Sequence, residues 1–473
     1  MEAIISFLTS QPPLHVLTMI TLLSPIAGAL VLILLNLSGI NPHERWVSIV
    51  SGVTVSGAAI AAVLLAGFTM LRPEREFDEV LWTMYSVGSY HLDVSIYVDS
   101  LSATMILLGA AVIPVLGRFS GRYLHRDPGY LRFFVLLGVA ATGFFWFVLG
   151  GSIDMAFLGW ELLGLSSVLL VAFFWERSEP LVGSGRVFAT YRVADIALLS
   201  GMVLLHSYAG DSSWATVLGV GDLEQVHLGT FSATVLGLAF LAAAIGKSAQ
   251  VPVTGYVLRA MEGPTPSSAL FYGTLSIHAG VYLMLRVEPL IANAPIVRIA
   301  VFGVGLLTAI TASLSSRVRA DAKGALALAS AGQAGLMLAE VGLGWTTLAM
   351  WHLLAHGLLR LMQFLRTPSW LEDAQARRSS LGGGRFRPDF YAERLLPAPL
   401  RNWMYAAALS RFGMDAIIER LFSRPLSSLA HLVSSPRPRM REHGGARIKD
   451  VCAPIEAPRT GPHLAAIDSR GAR

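Results

Sequence analysis

Several ionisable side chains fall inside long apolar stretches of this sequence, and these are the places where chemistry is possible. Lys247 ends the apolar run 234–245 (TVLGLAFLAAAI). An ammonium in hydrocarbon costs roughly 3 kcal/mol on insertion scales, so it is retained where it faces protein or water. Glu161 sits in the middle of FLGWELLGLSSVLL, at 157–170. A carboxylate at that depth needs a partner or stays protonated. Opposite charges attract strongly in a low dielectric, so Glu161 is expected to be the charge partner of Lys247. Moving a proton onto or off either one would switch such a pair. Lysine suits the role because burial and a neighbouring carboxylate move its proton affinity in opposite directions. The competing readings are a neutral, hydrogen-bonded structural glutamate and a permanently charged anchor.

Other polar residues recur at helical spacing. Arg192 and Asp195 stand three apart and share a helix face, as a structural ion pair or as part of an ion path. His278 follows Tyr272 by six residues in the next apolar run; an imidazole relays protons near neutral pH. His352, His356 and Arg360 are spaced by four in WHLLAHGLLRLMQFL, along one face with steps of about 6 Å. Two histidines at that spacing can bind metal, but no HExxH and no third ligand is evident, so a proton-relay stripe is the better reading. Gln333 and Glu340 are candidates for the same path.

The elements that must position these residues are helices in a membrane. The 473 residues are 54% hydrophobic and 14% charged, and the mean hydropathy is +0.58. A soluble domain carries about 25% charged residues. Apolar runs near twenty residues recur at 14–36, 46–71, 98–117, 131–150, 152–174, 187–208, 231–251, 265–286, 294–314, 324–343 and 346–365. The fold class is therefore an all-α polytopic membrane protein of about eleven transmembrane helices. One is broken near 247–264: Pro252, Gly255, Gly263, Pro264 and Pro266 interrupt it, Pro252 removing a backbone donor and Gly255 relaxing the chain. Freed backbone groups at membrane depth line a cavity or are buried in protein, and a broken helix beside a buried cation is a plausible ion site.

Basic connections at 118–132, 177–186 and 317–323 fall on one side when eleven spans are threaded. Those at 74–93 and 211–224 are acidic or uncharged. The positive-inside rule places the N-terminus outside and the C-terminus in the cytoplasm of a multi-pass inner-membrane protein. Residues 76–97 are too polar to span and rich in β-formers, which predicts a short extracytoplasmic hairpin. Four parts follow: 1–97, two helices and the hairpin; 98–366, the core; 367–433, with amphipathic helices on the cytoplasmic face or a partner; and 434–473, a basic tail expected to be disordered. Residues 377–473 hold sixteen Arg and one Lys against eight Asp and Glu, about +9 of a net +5. That asymmetry describes a membrane-surface tail, not a nucleic-acid-binding protein. No cleaved signal peptide is visible. The single cysteine, Cys452, excludes a disulfide framework and a cysteine-ligated iron–sulfur cluster within this chain. No GxGxxG unit marks a dinucleotide site, so no cofactor is expected here.

GKSAQ, AMEGPTPSSAL and HAGVYL, with VDSLSATM, GWELLGLSSVLL, DAKGALALASAGQAGLM and WHLLAHGLLRLMQFL, resemble successive blocks of the proton-conducting antiporter-like family. That family includes the largest antiporter-like subunit (chain 5/L type) of NADH:quinone oxidoreductase (complex I), the large Mrp antiporter subunits and the DAB inorganic-carbon uptake membrane subunit. The match runs over roughly 95–366. It implies two five-helix inverted repeats, each with a broken helix. It also implies that Glu161 and Lys247 form the ion pair of a half-channel, and that His352 and His356 belong to a central hydrophilic axis. Three features depart from the family pattern. Arg360 stands where lysine is usual and cannot hand on a proton. Tyr272 stands where histidine is usual, with His278 nearby to substitute. The second repeat is expected to be shortened, its broken helix and the long lateral helix missing.

The resemblance implies a proton- or sodium-translocating subunit of a complex I-like assembly, with other membrane and peripheral subunits and the lipid bilayer as partners. It would carry no redox centre of its own. The alternatives are the energy-coupling subunit of a DAB-type inorganic-carbon complex and a non-conducting scaffold.

Overall fold

A computed structural model of the chain describes residues 9–87, 90–220, 225–367 and 396–420. Two long helices, α1 (Gln11–Leu37) and α2 (Glu44–Met70), lead into a hairpin of β1 (Phe77–Val87) and β2 (Tyr90–Val98). Then follow α3 (Ser100–Tyr123), α4 (Tyr130–Leu149), α5 (Ile153–Val171), α6 (Ser178–Ala209) and the short α7 (Trp214–Leu218). The interrupted stretch comprises α8 (Thr230–Lys247), the single turn Val253–Gly255, α9 (Tyr256–Arg259), the turn Ala260–Glu262 and α10 (Thr265–Ser268). Next come a π-helical turn at Ala269–Thr274 and α11 (Leu275–Ile291). The bundle continues with α12 (Pro295–Arg317), α13 (Ala322–Gly342) and α14 (Thr346–Leu365). Beyond them lie α15 (Ala398–Leu409), a turn at Arg411–Gly413 and α16 (Met414–Ile418). Within 367–433, helix stands at 398–409 and 414–418; residues 368–395 and 421–473, with Cys452, lie outside the described residues.

Among the described residues ten helices are long and apolar enough to cross a membrane. The eleventh expected span exists as the 20-residue α14, but the His352, His356, Arg360 stripe leaves it too polar to join the ten. The expected sixth span is longer than read: α6 has 32 residues, about 48 Å of helix, because Glu179 and Arg186 masked its first two turns. Outward faces are apolar, with Leu34, Val53, Ile60, Val193, Ile196 and Ile299 exposed. Apolar side chains of this kind solvate well in lipid. The stretch from Thr265 to Val287 is instead buried throughout, so α11 is the axis on which the other helices pack.

Polar residues set the starts of the helices. Asp99 caps α3 by accepting from the Ser102 amide at 2.8 Å, and Asp321 caps α13 through the Gly324 amide at 2.7 Å; such caps satisfy amides that the first turn leaves without partners. The expected hairpin is present, antiparallel, with Phe77 opposite Val98 and irregularities after Val80 and Thr83. Backbone bonds tie it to its surroundings: Gly151 N donates to Ser95 O (2.8 Å), Trp214 N to Gly151 O (2.8 Å) and Ile153 N to Ser212 O (3.2 Å).

Candidate functional site

Lys247 is the last residue of α8 and is 1% exposed. Its ammonium donates to the backbone carbonyl of Trp160 on α5 at 2.8 Å. It lies 4.5 Å from the centroid of the Trp160 ring and 4.7 Å from that of Tyr191. A carbonyl and two ring faces stabilise a desolvated cation without neutralising it. Gly164, one turn along α5, makes the room: a Cβ there would lie 2.9 Å from the nitrogen.

Glu161 is not the direct partner of Lys247. Its carboxylate accepts from Arg192 at 2.6 Å, and Arg192 also pairs with Asp195 at 2.7 Å. Among the described residues no carboxylate lies within ion-pair distance of Lys247. Helix geometry gives the reason. Adjacent residues are rotated by about 100°, so with Trp160 turned to Lys247, Glu161 is turned to α6. Trp160 connects the two parts, because its indole N–H donates to Asp195 at 2.6 Å. The sequence-level reading missed Trp160, although it sits beside Glu161.

A tyrosine cluster leads inward from the break. The Tyr256 hydroxyl donates to the Lys247 carbonyl at 3.0 Å. The ring of Tyr256 packs 5.7 Å from that of Tyr191 and 6.3 Å from that of Tyr272. Tyr272 shares a hydrogen bond with Ser167 at 2.9 Å, and Tyr191 one with Ser276 at 3.4 Å. Ser276 stands two residues before His278, so this cluster and the imidazoles meet on α11.

His278 and His356 are brought together by α11 and α14, Nε2 to Nδ1 at 3.0 Å. Arg360 lies 3.3 Å and 3.2 Å from His356 Nε2 through Nε and NH2. A guanidinium only donates, so His356 accepts at Nε2 and carries its hydrogen on Nδ1. It then donates to His278 Nε2, and His278 donates from Nδ1 to the Thr274 carbonyl. Within the π-helical turn the Thr274 hydroxyl donates to the carbonyls of Ala269 and Leu270 at 2.9 Å each. His352 stands apart, its ring 6.3 Å from that of His356. It is held between Glu340 (3.0 Å) and Gln333 (3.0 Å), both on α13.

The break extends further than expected, from Ser248 to Thr274. The left-handed backbone falls on Ala249 (φ 53°), whereas Gly255 has φ −63° and Gly263 φ −69°. Gly255 therefore does not relax the chain; both glycines serve close approach. A Cβ on Gly263 would lie 2.6 Å from the Leu170 carbonyl. Pro252 precedes the turn through a cis bond from Val251, and Pro264 and Pro266 open α10.

Two internally bonded cations, Arg286 and Lys323, were not among the candidate residues read from the sequence. Arg286 on α11 is bonded to both oxygens of Asp99 (2.6 and 3.0 Å), to Ser102 (2.8 Å) and to the Tyr282 hydroxyl (3.0 Å). Lys323 on α13 donates to the carbonyls of Met261 (2.8 Å) and Gly263 (2.7 Å). Arg286 had a readable signal, because it ends an apolar run and its partner, the acid of VDSLSATM, begins another; Lys323 had none.

Residues 151–382 match the family described as NADH:quinone oxidoreductase/Mrp antiporter transmembrane region. Residues 82–134 match that of the N-terminus of complex I chain 5. NADH-quinone oxidoreductase subunit L of Mycobacterium tuberculosis (strain CDC 1551 / Oshkosh) is 32% identical over 346 residues, 72% of this chain and 53% of the relative. The Escherichia coli (strain K12) subunit L is 29% identical over 331 residues, 69% of this chain and 54% of the relative. The chain thus spans about half the length of these curated relatives. Its fold resembles a chain of the Mrp complex from Dietzia sp. DQ12-45-1b, with TM-score 0.62, 22% identity, and coverage of 73% of this chain and 37% of that one. It also resembles a chain of an archaeal membrane-bound sulfane sulfur reductase, with TM-score 0.60, 18% identity, and coverage of 74% and 70%. These relatives and neighbours are subunits of multi-subunit membrane complexes.

Proposed function

The chain belongs to the antiporter-like membrane-subunit family of NADH:quinone oxidoreductases and Mrp antiporters, and on that premise we propose that it moves protons across a bacterial inner membrane as one subunit of a complex I-like assembly. The observation that carries the proposal is Lys247: a buried ammonium at the end of a broken helix, placed on Trp160 and linked through it to the Arg192 cluster. Sodium is the second candidate ion. The driving reaction belongs to partner subunits. The N-terminus lies outside and the C-terminus in the cytoplasm, with the basic connections inward.

In the proposed cycle Lys247 is the group that gains and loses the proton. While charged, it holds the Trp160 carbonyl and thereby the angle of α5. When it is neutral, that carbonyl loses a charge-assisted bond. Trp160 and Asp195 are then free to shift, and Arg192 redistributes between Asp195 and Glu161. The hydroxyls of Tyr191 and Ser276 and the pair His278–His356 extend the path toward α14. His352, between Glu340 and Gln333, continues it. Arg360 fixes which nitrogen of His356 carries hydrogen and does not itself pass a proton on.

The test is proton flux in proteoliposomes holding the complex purified with its native partners, wild type beside Lys247→Ala. Flux that disappears in the variant while the complex stays assembled supports conduction through this chain. Flux unaffected by the substitution would mean that the subunit holds the complex together instead.

A further inference from the structure

The segment 411–418 is seated directly on the break. With Arg411 and Met414 it lines a groove together with Thr254 and Gly255 of the interrupted stretch, Thr311 and Ser315 of α12, and Leu328 of α13. A Cβ on Gly255 would collide with the Asp415 carboxylate and lie 3.4 Å from Arg411 Nε. Arg411 and Asp415 form an ion pair with each other across this contact. Three consecutive residues, Arg411 (φ 51°), Phe412 (φ 56°) and Gly413 (φ 72°), are left-handed. Such backbone is unfavourable for an arginine and for an aromatic residue, and it persists where the surroundings over-determine it. The reversal it makes is what places Arg411 and Asp415 together over Gly255. Elsewhere the freed backbone of the interrupted stretch is held by single side chains: Thr308 accepts from Val251 N at 3.0 Å, and Lys323 holds the far end. The middle, Val253–Gly255, has this segment as its cover.

We propose that residues 411–418 position the broken helix, with Arg411 and Asp415 as positioning residues that fasten the Val253–Gly255 turn to the ends of α12 and α13. The inference rests on the reading that this break belongs to the ion path. The like charges of Arg319, Arg259 and Arg186 act on Arg411. Asp321 is paired with Arg319, and Asp415 is paired with Arg411. Loss of the Asp415 charge therefore leaves Arg411 against three like charges, and the segment lifts from the groove.

Hydrogen–deuterium exchange over 250–258 and proton flux are measured together on the assembled complex. The variants are Asp415→Asn, Gly255→Ala and the charge-exchanged double variant Arg411→Asp with Asp415→Arg. Exchange is expected to rise severalfold in both single variants, with a parallel loss of flux, and both readouts to return toward wild type in the double variant. Wild-type exchange in Asp415→Asn and Gly255→Ala overturns the proposal, as does a double variant no better than the singles, which would make the contact merely structural. A wild-type complex without flux would sink the proton-path reading, while the exchange data would still decide whether 411–418 holds the break.

Discussion

At the scale of single residues, the unit of the site is Trp160 rather than a lysine–glutamate pair. Its carbonyl takes Lys247 and its indole takes Asp195, so one residue reads both halves of the charge cluster. Trp160→Phe keeps the carbonyl and an aromatic face and removes the indole N–H together with the five-membered ring. A hydrogen bond to a charged group is worth about 1.5–3 kcal/mol, so flux is expected to fall by about an order of magnitude with assembly unchanged; undiminished flux would detach the indole from the path. Gly164→Ala should reduce flux as well, because the new methyl occupies space 2.9 Å from the ammonium nitrogen. The sequence displayed the reactive residue types, since Lys247, Glu161 and His278 are conspicuous among apolar neighbours. It did not display their partners. Which of Trp160 and Glu161 faces α8 depends on the rotation of α5, and that rotation is set by packing between helices far apart in sequence.

At the scale of elements, apolar runs made nearly every helix legible, and Pro252 and the GPTP turn marked the break. The π-helical turn was not legible, because ALFYGT has nothing to separate it from ordinary helix. Its wider turn is sustained by the Thr274 hydroxyl and by full burial, both tertiary. Lys323 was hidden for a related reason: counted with a basic connection, it is in fact the donor for the last carbonyls of the interrupted stretch. Lys323→Met should leave the Met261 and Gly263 carbonyls without their donor and destabilise the protein by about 2 kcal/mol, read as a lower thermal unfolding temperature in detergent. An unchanged unfolding temperature would show that solvent or another donor replaces the lysine.

At the scale of the whole molecule, the hairpin end carries a pH dependence with two opposed contributions. Partial desolvation beside the hairpin, together with the like charges of Asp211 and Glu79, pushes Asp78 up to about 6 although its side chain still reaches solvent. The folded state therefore binds this proton more tightly than the unfolded chain, and stability falls as pH rises from the unfolded value, about 3.8, to about 6. Asp78→Asn should gain about 1 kcal/mol or less above pH 6, since the side chain is exposed and screened, and nothing below pH 4. Asp99 behaves oppositely. Burial raises its pKa, but the charge of Arg286 and its hydrogen bonds outweigh that and hold the group below the usual carboxylate range. Its contribution is present above the unfolded pKa and is lost as pH falls through the folded value. Thermal unfolding measured from pH 4 to pH 8 separates the two. The backbone knot at this end has a mechanical consequence. Ser95, Gly151, Ser212 and Trp214 clamp the hairpin, the α4–α5 corner and the α6–α7 corner together. A rod clamped at one end moves most at the other. Trp160 stands seven residues from the start of α5, about 10 Å along a rod of about 28 Å, so a small tilt there becomes a swing nearly three times larger at the basic end. Spin labels should record broad distance distributions between α5 and α6 at that end and narrow ones beside the hairpin: the molecule is built as a lever whose fulcrum faces away from its load.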